Sequence, residues 1–164
     1  MSEILFIVPC SARKHPALKS GAMAAQDAYT GQAFRICQRI LRQQRRKWCI
    51  LSAHYGFIWP STLIEWYEQK MEPVTPGTVW EDCFQHITNR QYARLRTSRP
   101  LIVLGSRLYA QAAATLLHQT VFAPVAGLPI GKMLSRLAAG DWLQISQRPP
   151  SMAGVWLRPL ASSR

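Results

Sequence analysis

Negative charge is scarce in this chain. Eight Asp and Glu residues stand against twenty Lys and Arg, so the formal net charge is +12 over 164 residues. The pI is near 10.3. A basic excess of this size is typical of proteins that bind a polyanion, most often nucleic acid. A general contribution to solubility is the alternative interpretation of the same charge.

Long apolar runs and paired cysteines are also missing. No apolar stretch approaches the roughly 18 residues of a membrane span, and the N-terminus has no basic segment followed by an apolar core and a cleavage site. We therefore expect a cytoplasmic protein without membrane contact. The four cysteines form no C-x-x-C pair, and the histidines lack zinc spacing. We expect reduced thiols, no metal and no cofactor.

Short apolar runs alternate with amphipathic segments. Strands are predicted at Glu3–Pro9, Trp48–Ala53, Pro100–Gly105 and Val121–Ala126. Helices are predicted from Thr30, as N-cap, to about Lys47, and over Thr78–Arg96, Arg107–His118 and Ile130–Ala139. Residues 56–76 are predicted to be a long aromatic connection. The alternation predicts one α/β domain over residues 1–164, a layered fold whose mainly parallel sheet has about four or five strands flanked by helices. The tail, 147–164, is predicted to be loosely ordered or to add an edge strand.

Small and hydroxyl-bearing residues follow each predicted strand. In open parallel sheets, ligands bind beyond the carboxyl ends of the strands. The residues at those ends are Pro9-Cys10-Ser11, Ser52-Ala53-His54-Tyr55-Gly56, Gly105-Ser106 and Ala126-Gly127. The sequence therefore predicts a ligand pocket along this edge, with Ser52, His54, Tyr55 and Gly56 in its wall.

Four arginines form a stripe on the first long predicted helix. At 100° per residue, Arg35, Arg39, Arg42 and Arg46 fall within about 60° of one another. No acidic residue stands at i±4 to neutralise them. Such a row suits the phosphate backbone of a nucleic acid, although a solvated helix face is the commoner explanation of a charge run.

The loop PCSARK follows the first strand and carries cations beside a thiol. It lacks the pattern of a Walker P-loop, but Ser11 and Lys14 could still hold an anion. Cys10 lies beside basic residues and could act as a nucleophile. We favour a packed, unreactive Cys10 from the sequence, because no histidine stands close along the chain to serve as a base.

Two glycine-containing segments are further candidate anion cradles. Tyr29, Thr30 and Gly31 precede the arginine-rich helix, whose exposed N–H groups would face an anion. In GLPIGKM, Gly127 and Lys132 stand at a strand-to-helix turn. A plain N-cap and an ordinary turn are the alternatives for these residues.

Two carboxylates, Glu65 and Glu68, lie in the aromatic segment IEWYEQKM. If the segment were helical, they would share one face. A carboxylate in an apolar setting can serve as general acid or base, and we assign catalysis to these two residues and Lys14. Tyr55 and Tyr67 are predicted to stack on a base. Surface carboxylates and aromatic residues that cover the sheet are the alternatives.

The ordered set PCSARK, AYTGQAF, ILSAHYGFIWPSTLIEWYEQKM and GLPIGK resembles the short YaaA-like proteins of unknown function and, more distantly, the YaaA-type peroxide-stress proteins. The resemblance covers residues 4–71 well and the rest loosely. It implies an α/β domain with a cleft formed by these motifs, and a link to DNA rather than RNA. The residues that match the family pattern are Ser11, Lys14, Tyr29, Thr30, Gly31, Ser52, Tyr55, Gly56, Tyr67 and Met71.

The first functional hypothesis is an enzyme that acts on a base or nucleotide of nucleic acid, by N-glycosidic cleavage or by base modification or repair. The second is a DNA-binding stress or defence protein without catalysis, and the third is a nucleotide-sensing module. The first would form a product, the second would bind DNA with steep salt dependence, and the third would prefer a mononucleotide. The oligomeric state stays open.

Overall fold

A computed structural model of the chain describes residues 3–75, 82–144 and 154–161. Its strands are β1 (Leu5–Pro9), β2 (Met23–Ala24), β3 (Trp48–Ser52), β4 (Gly56–Ile58), β5 (Leu63–Ile64), β6 (Leu101–Val103), β7 (Val121–Ala123) and β8 (Val155–Leu157). Its α-helices are α1 (Ala25–Ala28), α2 (Gln32–Gln43), α3 (Asn89–Thr97), α4 (Arg107–Leu117) and α5 (Ile130–Ala139). Two 3-10 helices span Pro16–Ser20 and Asp141–Gln144.

Six strands form one sheet in the order β4-β3-β1-β6-β7-β8. β1 pairs in parallel with β3 and β6, and β6 pairs in parallel with β7. The two edge strands, β4 and β8, are antiparallel to their neighbours. The predicted α/β fold with a mainly parallel sheet is confirmed, and its four inner strands coincide with the four apolar runs.

Helices cover both faces of this sheet. Phe6 and Val8 of β1 pack with α2 and α5 on one face. Leu5 and Ile7 point to the other face, where α3 and α4 pack. A strand buried on both faces needs apolar residues throughout, which explains why the inner strands are continuous apolar runs in the sequence. No helix within the described ranges has both the length and the apolar character that crossing a bilayer requires.

Two predicted helices are shorter than expected. α2 has Gly31 rather than Thr30 as its N-cap, and it ends at Gln43, before Lys47. α3 begins at Asn89, because the Thr88 side chain accepts the Gln91 N–H while the Gln91 side chain accepts the Thr88 N–H. This reciprocal capping fixes the helix start. Of the helix predicted over Thr78–Arg96, residues 78–81 lie outside the described residues.

The aromatic connection contains structure that the sequence did not reveal. After β3 the chain turns over residues 53–55, and Gly56 adopts a φ of 72° as β4 begins. Further along, β5 pairs antiparallel with β2 in a separate two-stranded ribbon. In the tail, the RPP segment at 148–150 lies outside the described residues, while β8 pairs with β7 at the sheet edge.

Candidate functional site

A pocket of about 450 Å³ opens between the carboxyl ends of β1 and β6. The chain leaves β1 toward β3 on one side and leaves β6 toward β7 on the other. Such a reversal of direction opens a crevice at which open α/β sheets bind ligands. The volume falls within the roughly 300–1,000 Å³ of small-molecule sites. We call it the switch-point pocket.

One side of the switch-point pocket is polar. Its polar lining residues are Cys10, Ser11, Arg13, Gln32, Ser106 and Tyr109. The first turn of α2 also lines it, and Ser106 is the N-cap of α4. Neither helix has a side-chain cap at its N-terminus. Uncapped helix N-termini present backbone N–H groups and positive potential, so this side suits an anionic group.

The other side of the pocket is apolar. Phe34 of α2, Leu104 beyond β6, and Ile130, Met133 and Leu134 of α5 line it. Ile130 is 65% exposed although it is a large apolar residue. A largely apolar lining with a few polar groups is the usual composition of a small-molecule site.

Ser11 and Gly31 join the β1 loop to α2 at the mouth of the pocket. The Gly31 N–H donates to Ser11 Oγ at 3.1 Å, and Ser11 Oγ donates to the Arg13 carbonyl at 2.6 Å. A Cβ at position 31 would lie 2.6 Å from Ser11 Cβ. Glycine is therefore required at position 31, because the backbone approaches Ser11 too closely for a Cβ.

An arginine track, defined as Arg13, Arg35, Arg39 and Arg42, leads away from the pocket. Arg13 lines both the switch-point pocket and a shallow groove that it shares with Thr30, Arg35 and Arg39. A second groove continues along Arg35, Arg39 and Arg42. All four arginines are exposed. Asp27 also lines the second groove, but within the described residues it forms no ion pair with them.

Arg46 does not belong to the arginine track, contrary to the predicted stripe. α2 ends before it, and Arg45 takes a positive φ of 50°. Arg46 Nη2 donates to the Leu143 carbonyl at 3.3 Å instead. The helical projection fails here because the helix is shorter than the charge run.

Several predicted substrate-binding residues form a closed tyrosine cluster at the end of β3. Ser52 Oγ accepts the N–H groups of His54 and Tyr55 at 3.2 and 3.0 Å. It donates to Tyr67 Oη at 3.0 Å, and the Tyr67 and Tyr29 hydroxyls lie 2.7 Å apart. Ser52 is fully buried, and Tyr29 and Tyr67 are 1% and 7% exposed. These three side chains present no open face to a base.

The Tyr67 ring is covered by two further predicted site residues. The His54 ring stacks on it at a centroid distance of 5.0 Å, and Lys14 Nζ lies 4.3 Å from its centroid. Tyr55 meets the same ring edge-to-face. We define the tyrosine cluster as Lys14, Tyr29, Ser52, His54, Tyr55 and Tyr67, which are far apart in sequence. We expected the Tyr67 ring to stack on a ligand, but it packs against other residues of the cluster.

Burial controls the ionisation of this cluster. It raises the pKa of both the Tyr29 and Tyr67 phenols, so they stay neutral hydrogen-bonding groups near neutral pH. Burial lowers the pKa of the Lys14 ammonium, and the nearby Cys10 and Glu68 oppose that shift. Lys14 Nζ donates to the Ala12 carbonyl at 3.3 Å. Lys14 therefore lies inside the cluster and does not line the switch-point pocket.

Cys10 connects the tyrosine cluster to the switch-point pocket. Its sulfur accepts the Ala53 N–H at 3.4 Å and lies 3.3 Å from the Tyr109 hydroxyl. It is half-buried, whereas the other three cysteines are buried. We expected an unreactive, packed Cys10 because we considered only the residues that neighbour it along the chain. In the fold, its partners come from positions 43 and 99 residues away.

Glu65 and Glu68 lie outside the switch-point pocket. Residues 65–75 form no helix, so the proposed shared helical face does not exist. Both carboxylates are exposed. The Glu65 backbone N–H donates to Tyr55 Oη at 2.9 Å, which anchors the segment through its backbone rather than its carboxylate.

Three other predicted site residues are also separate from the pocket. Gly56 is buried, and a Cβ there would lie 2.4 Å from Cys83 Cα, so its role is close packing of the turn. Gly127, with a φ of 80°, and Lys132 are exposed near the start of α5. Neither lines the pocket, whereas other residues of α5 do.

A family model covers most of this architecture. The model of a family of unknown function, DUF6884, matches residues 5–139. The chain belongs to the DUF6884 family. The matched range runs from the first residue of β1 to the last residue of α5, so the DUF6884 match includes the pocket, the arginine track and the tyrosine cluster. No curated protein and no solved structure matches the chain.

Sequence reasoning missed the pocket residue Tyr109 of this DUF6884 protein, named Ser106 only among the residues at the strand ends, and undervalued Arg13. Ser106 and Tyr109 belong to the N-cap and first turn of α4, directly after a strand end. That position was a usable signal, because a helix that follows a parallel strand begins at the ligand-binding edge. Arg13 was noted only as a neighbouring cation. Among the described residues of this DUF6884 chain, no group of three His, Cys, Asp or Glu side chains is placed to hold a metal.

Proposed function

We propose that this DUF6884 protein binds nucleic acid along the arginine track and acts as an enzyme on one nucleotide held in the switch-point pocket, at the base or its N-glycosidic bond. The observation that carries the proposal is the continuity of the two features. Arg13 lines the pocket and also begins the groove that Arg35 and Arg39 continue.

The arginine track fits a phosphate backbone. Its four guanidiniums are exposed and, within the described part of the chain, form no ion pair with an acidic side chain. Contacts of this kind position a polynucleotide without reading its sequence. The net charge of +12 supports the same partner.

The switch-point pocket fits one nucleotide. Its polar side combines Arg13 with the uncapped starts of α2 and α4, which favour a phosphate. Its apolar side, formed by Phe34, Met133 and Leu134 among others, favours a base. In this arrangement, a nucleotide would leave the strand at Arg13 and place its base against α5.

The resemblance to YaaA-like proteins and the preference for DNA remain part of this proposal. The motifs that carry the resemblance meet in space, since Ser11 bonds Gly31, and Ser52 bonds Tyr67, which bonds Tyr29. Their convergence supports the idea that the motifs act as one unit. A cytoplasmic location follows from the same proposed function.

The proposal is tested by DNA binding measured against salt concentration, using fluorescence anisotropy of a labelled oligonucleotide. Arg39→Ala should weaken binding and reduce the slope of log K against log salt by about one, because one phosphate contact is lost. Arg90→Ala is the matched control, since Arg90 is exposed on α3, which packs on the other face of the sheet. If both substitutions weakened binding equally, the arginine track would not be the DNA-binding surface.

Catalysis is tested by incubating the protein with unmodified and base-modified DNA and measuring free bases and nucleosides by mass spectrometry. A released or altered base would support the proposal that the protein is an enzyme. Salt-sensitive binding without product on any substrate would instead favour the DNA-binding protein without catalysis. Tight binding of a mononucleotide with weak binding of DNA would favour a nucleotide sensor.

A further inference from the structure

Hydrogen-bond donors converge on the sulfur of Cys10. The Ala53 N–H donates to it at 3.4 Å, and the Tyr109 hydroxyl is 3.3 Å away. The Lys14 ammonium is close enough to interact electrostatically with a Cys10 thiolate. Three groups of donor or positive character thus surround one sulfur that lines the switch-point pocket.

The hydroxyl groups of the tyrosine cluster form a directed hydrogen-bond chain that ends at Tyr29. A serine hydroxyl has two acceptor lone pairs and one proton, and Ser52 Oγ already accepts two N–H groups. Its proton must go to Tyr67, whose own proton then goes to Tyr29. The remaining Tyr29 proton has no acceptor among the described residues, although Tyr29 is only 1% exposed and lies within electrostatic range of Cys10.

The other cysteines have a different environment. Cys37 and Cys49 are fully buried, and Cys83 is 3% exposed. Burial raises the pKa of the Cys37 and Cys83 thiols to about 12 and about 11. None of the three lines the switch-point pocket, so the chain has one cysteine that combines access, donors and a cavity within the described residues.

We propose that Cys10 is the nucleophile of the switch-point pocket and forms a transient covalent bond with the sugar carbon of the bound nucleotide. This inference rests on the proposed function, because it needs a nucleotide in the pocket. The sulfur lines the pocket, and the Ala53 N–H, the Tyr109 hydroxyl and the Lys14 ammonium lie near it, so it is placed to attack a bound group.

The step balances without a cofactor. The bond between Cys10 Sγ and C1′ forms while the C1′–N bond breaks, and the electron pair of that bond stays on the base nitrogen. The thiol proton ends on this nitrogen, so the free base leaves. Water then transfers its hydroxyl to C1′ and its remaining proton to the sulfur, which restores the thiol.

The first arm of the test uses iodoacetamide on the folded full chain, followed by peptide mass spectrometry. Cys10 should be the first cysteine alkylated, and saturating oligonucleotide should protect it. Tyr109→Phe should slow alkylation roughly tenfold, the effect of one hydrogen bond to a charged atom, while the exposed-residue control Tyr92→Phe should not. Alkylation of Cys10 that is no faster than that of the three buried cysteines would overturn the proposal.

The second arm measures base release and the intact mass of protein quenched in acid after mixing with DNA. Wild type should release base and gain the mass of the base-free oligonucleotide, and Cys10→Ser and Cys10→Ala should lose both signals. If both folded variants still release base, Cys10 is not the nucleophile, but the proposed function is retained. Absence of salt-dependent DNA binding by the wild type overturns the proposed function, and this inference with it.

Discussion

The switch-point pocket and the tyrosine cluster both lie at the carboxyl edge of the sheet, yet one is open and the other closed. The pocket combines an apolar wall with a cationic, partly hydroxylated end. In the cluster, Ser52, Tyr29 and Tyr67 are hydrogen-bonded to one another and buried. Polar residues at a strand end therefore do not by themselves mark a ligand site, because they can satisfy one another.

The two regions differ in what their side chains stabilise. Truncating a side chain of the closed cluster leaves buried donors and acceptors without partners, which costs free energy of folding. Truncating an exposed side chain of the pocket mouth removes a ligand contact and little else. Substitutions in the tyrosine cluster should therefore lower stability, and substitutions at the pocket mouth should lower ligand affinity.

The largest expected effect is that of Ser52→Ala on stability. The substitution removes the acceptor of two part-buried hydrogen bonds, from the N–H groups of His54 and Tyr55, and deprives the buried Tyr67 hydroxyl of a donor. The free energy of unfolding should fall by about 3 kcal/mol, as expected for buried groups left unsatisfied. Urea denaturation measures this change.

DNA affinity of the folded Ser52→Ala protein should match wild type within the error of an anisotropy titration. Weaker binding together with unchanged stability would show that the cluster belongs to the binding site, and would remove the contrast between the two regions.

A smaller effect is expected from alkaline pH. Because burial raises the pKa of Tyr67 in the folded state, the folded protein keeps this proton at pH values where the unfolded chain, with an ordinary pKa of about 10, loses it. The corresponding stability is fully present below about pH 10 and falls by up to about 1.4 kcal/mol per pH unit above it. Urea denaturation between pH 9 and about 11 measures the slope.

Tyr67→Phe should reduce that alkaline slope, whereas Tyr92→Phe, at a tyrosine 41% exposed, should follow the wild type. The remaining groups with raised pKa values keep a residual slope of the same sign, and they are Tyr29, Tyr109 and the thiols of Cys37, Cys49 and Cys83. An identical slope in wild type and Tyr67→Phe would mean that Tyr67 is accessible to solvent and the cluster is open.

The smallest expected effect on stability belongs to the pocket mouth. Arg13→Ala should change the free energy of unfolding by less than about 0.5 kcal/mol, because Arg13 is exposed. Binding of a deoxynucleoside monophosphate, measured by calorimetry, should weaken roughly tenfold through loss of a charge-assisted hydrogen bond. Arg39→Ala should leave mononucleotide binding unchanged and weaken DNA binding alone. Equal mononucleotide affinities for the two variants would contradict the assignment of Arg13, but not Arg39, to the pocket.

Several parts of the site were predictable from sequence. The β1 loop was identified because small and hydroxyl residues follow an apolar run there, and Gly31 was identified because it precedes a helix. The contact between Ser11 and Gly31 joins two of these segments. The exposed row of Arg35, Arg39 and Arg42 follows from helical spacing and the absence of neighbouring acids.

Other parts depended on local geometry that the sequence pattern misrepresents. Glu65 and Glu68 share a face only on a helix, and their segment beyond β5 forms no helix. Gly56 was predicted to lie in the pocket wall, but it allows a turn with positive φ and close packing against Cys83. A glycine after a strand has the same sequence signal whether it faces a ligand or another backbone.

The sequence alone determined the fold class, the basic surface and the positions of the inner strands. These follow from apolar runs long enough to be buried on both faces and from charges that must remain in water. Only the tertiary structure decided that Cys10 faces Tyr109 and the pocket while Tyr29 and Tyr67 close on each other. Such partnerships depend on strand order and on the direction of each crossover, which the packing of the whole sheet sets, and no local sequence pattern encodes them.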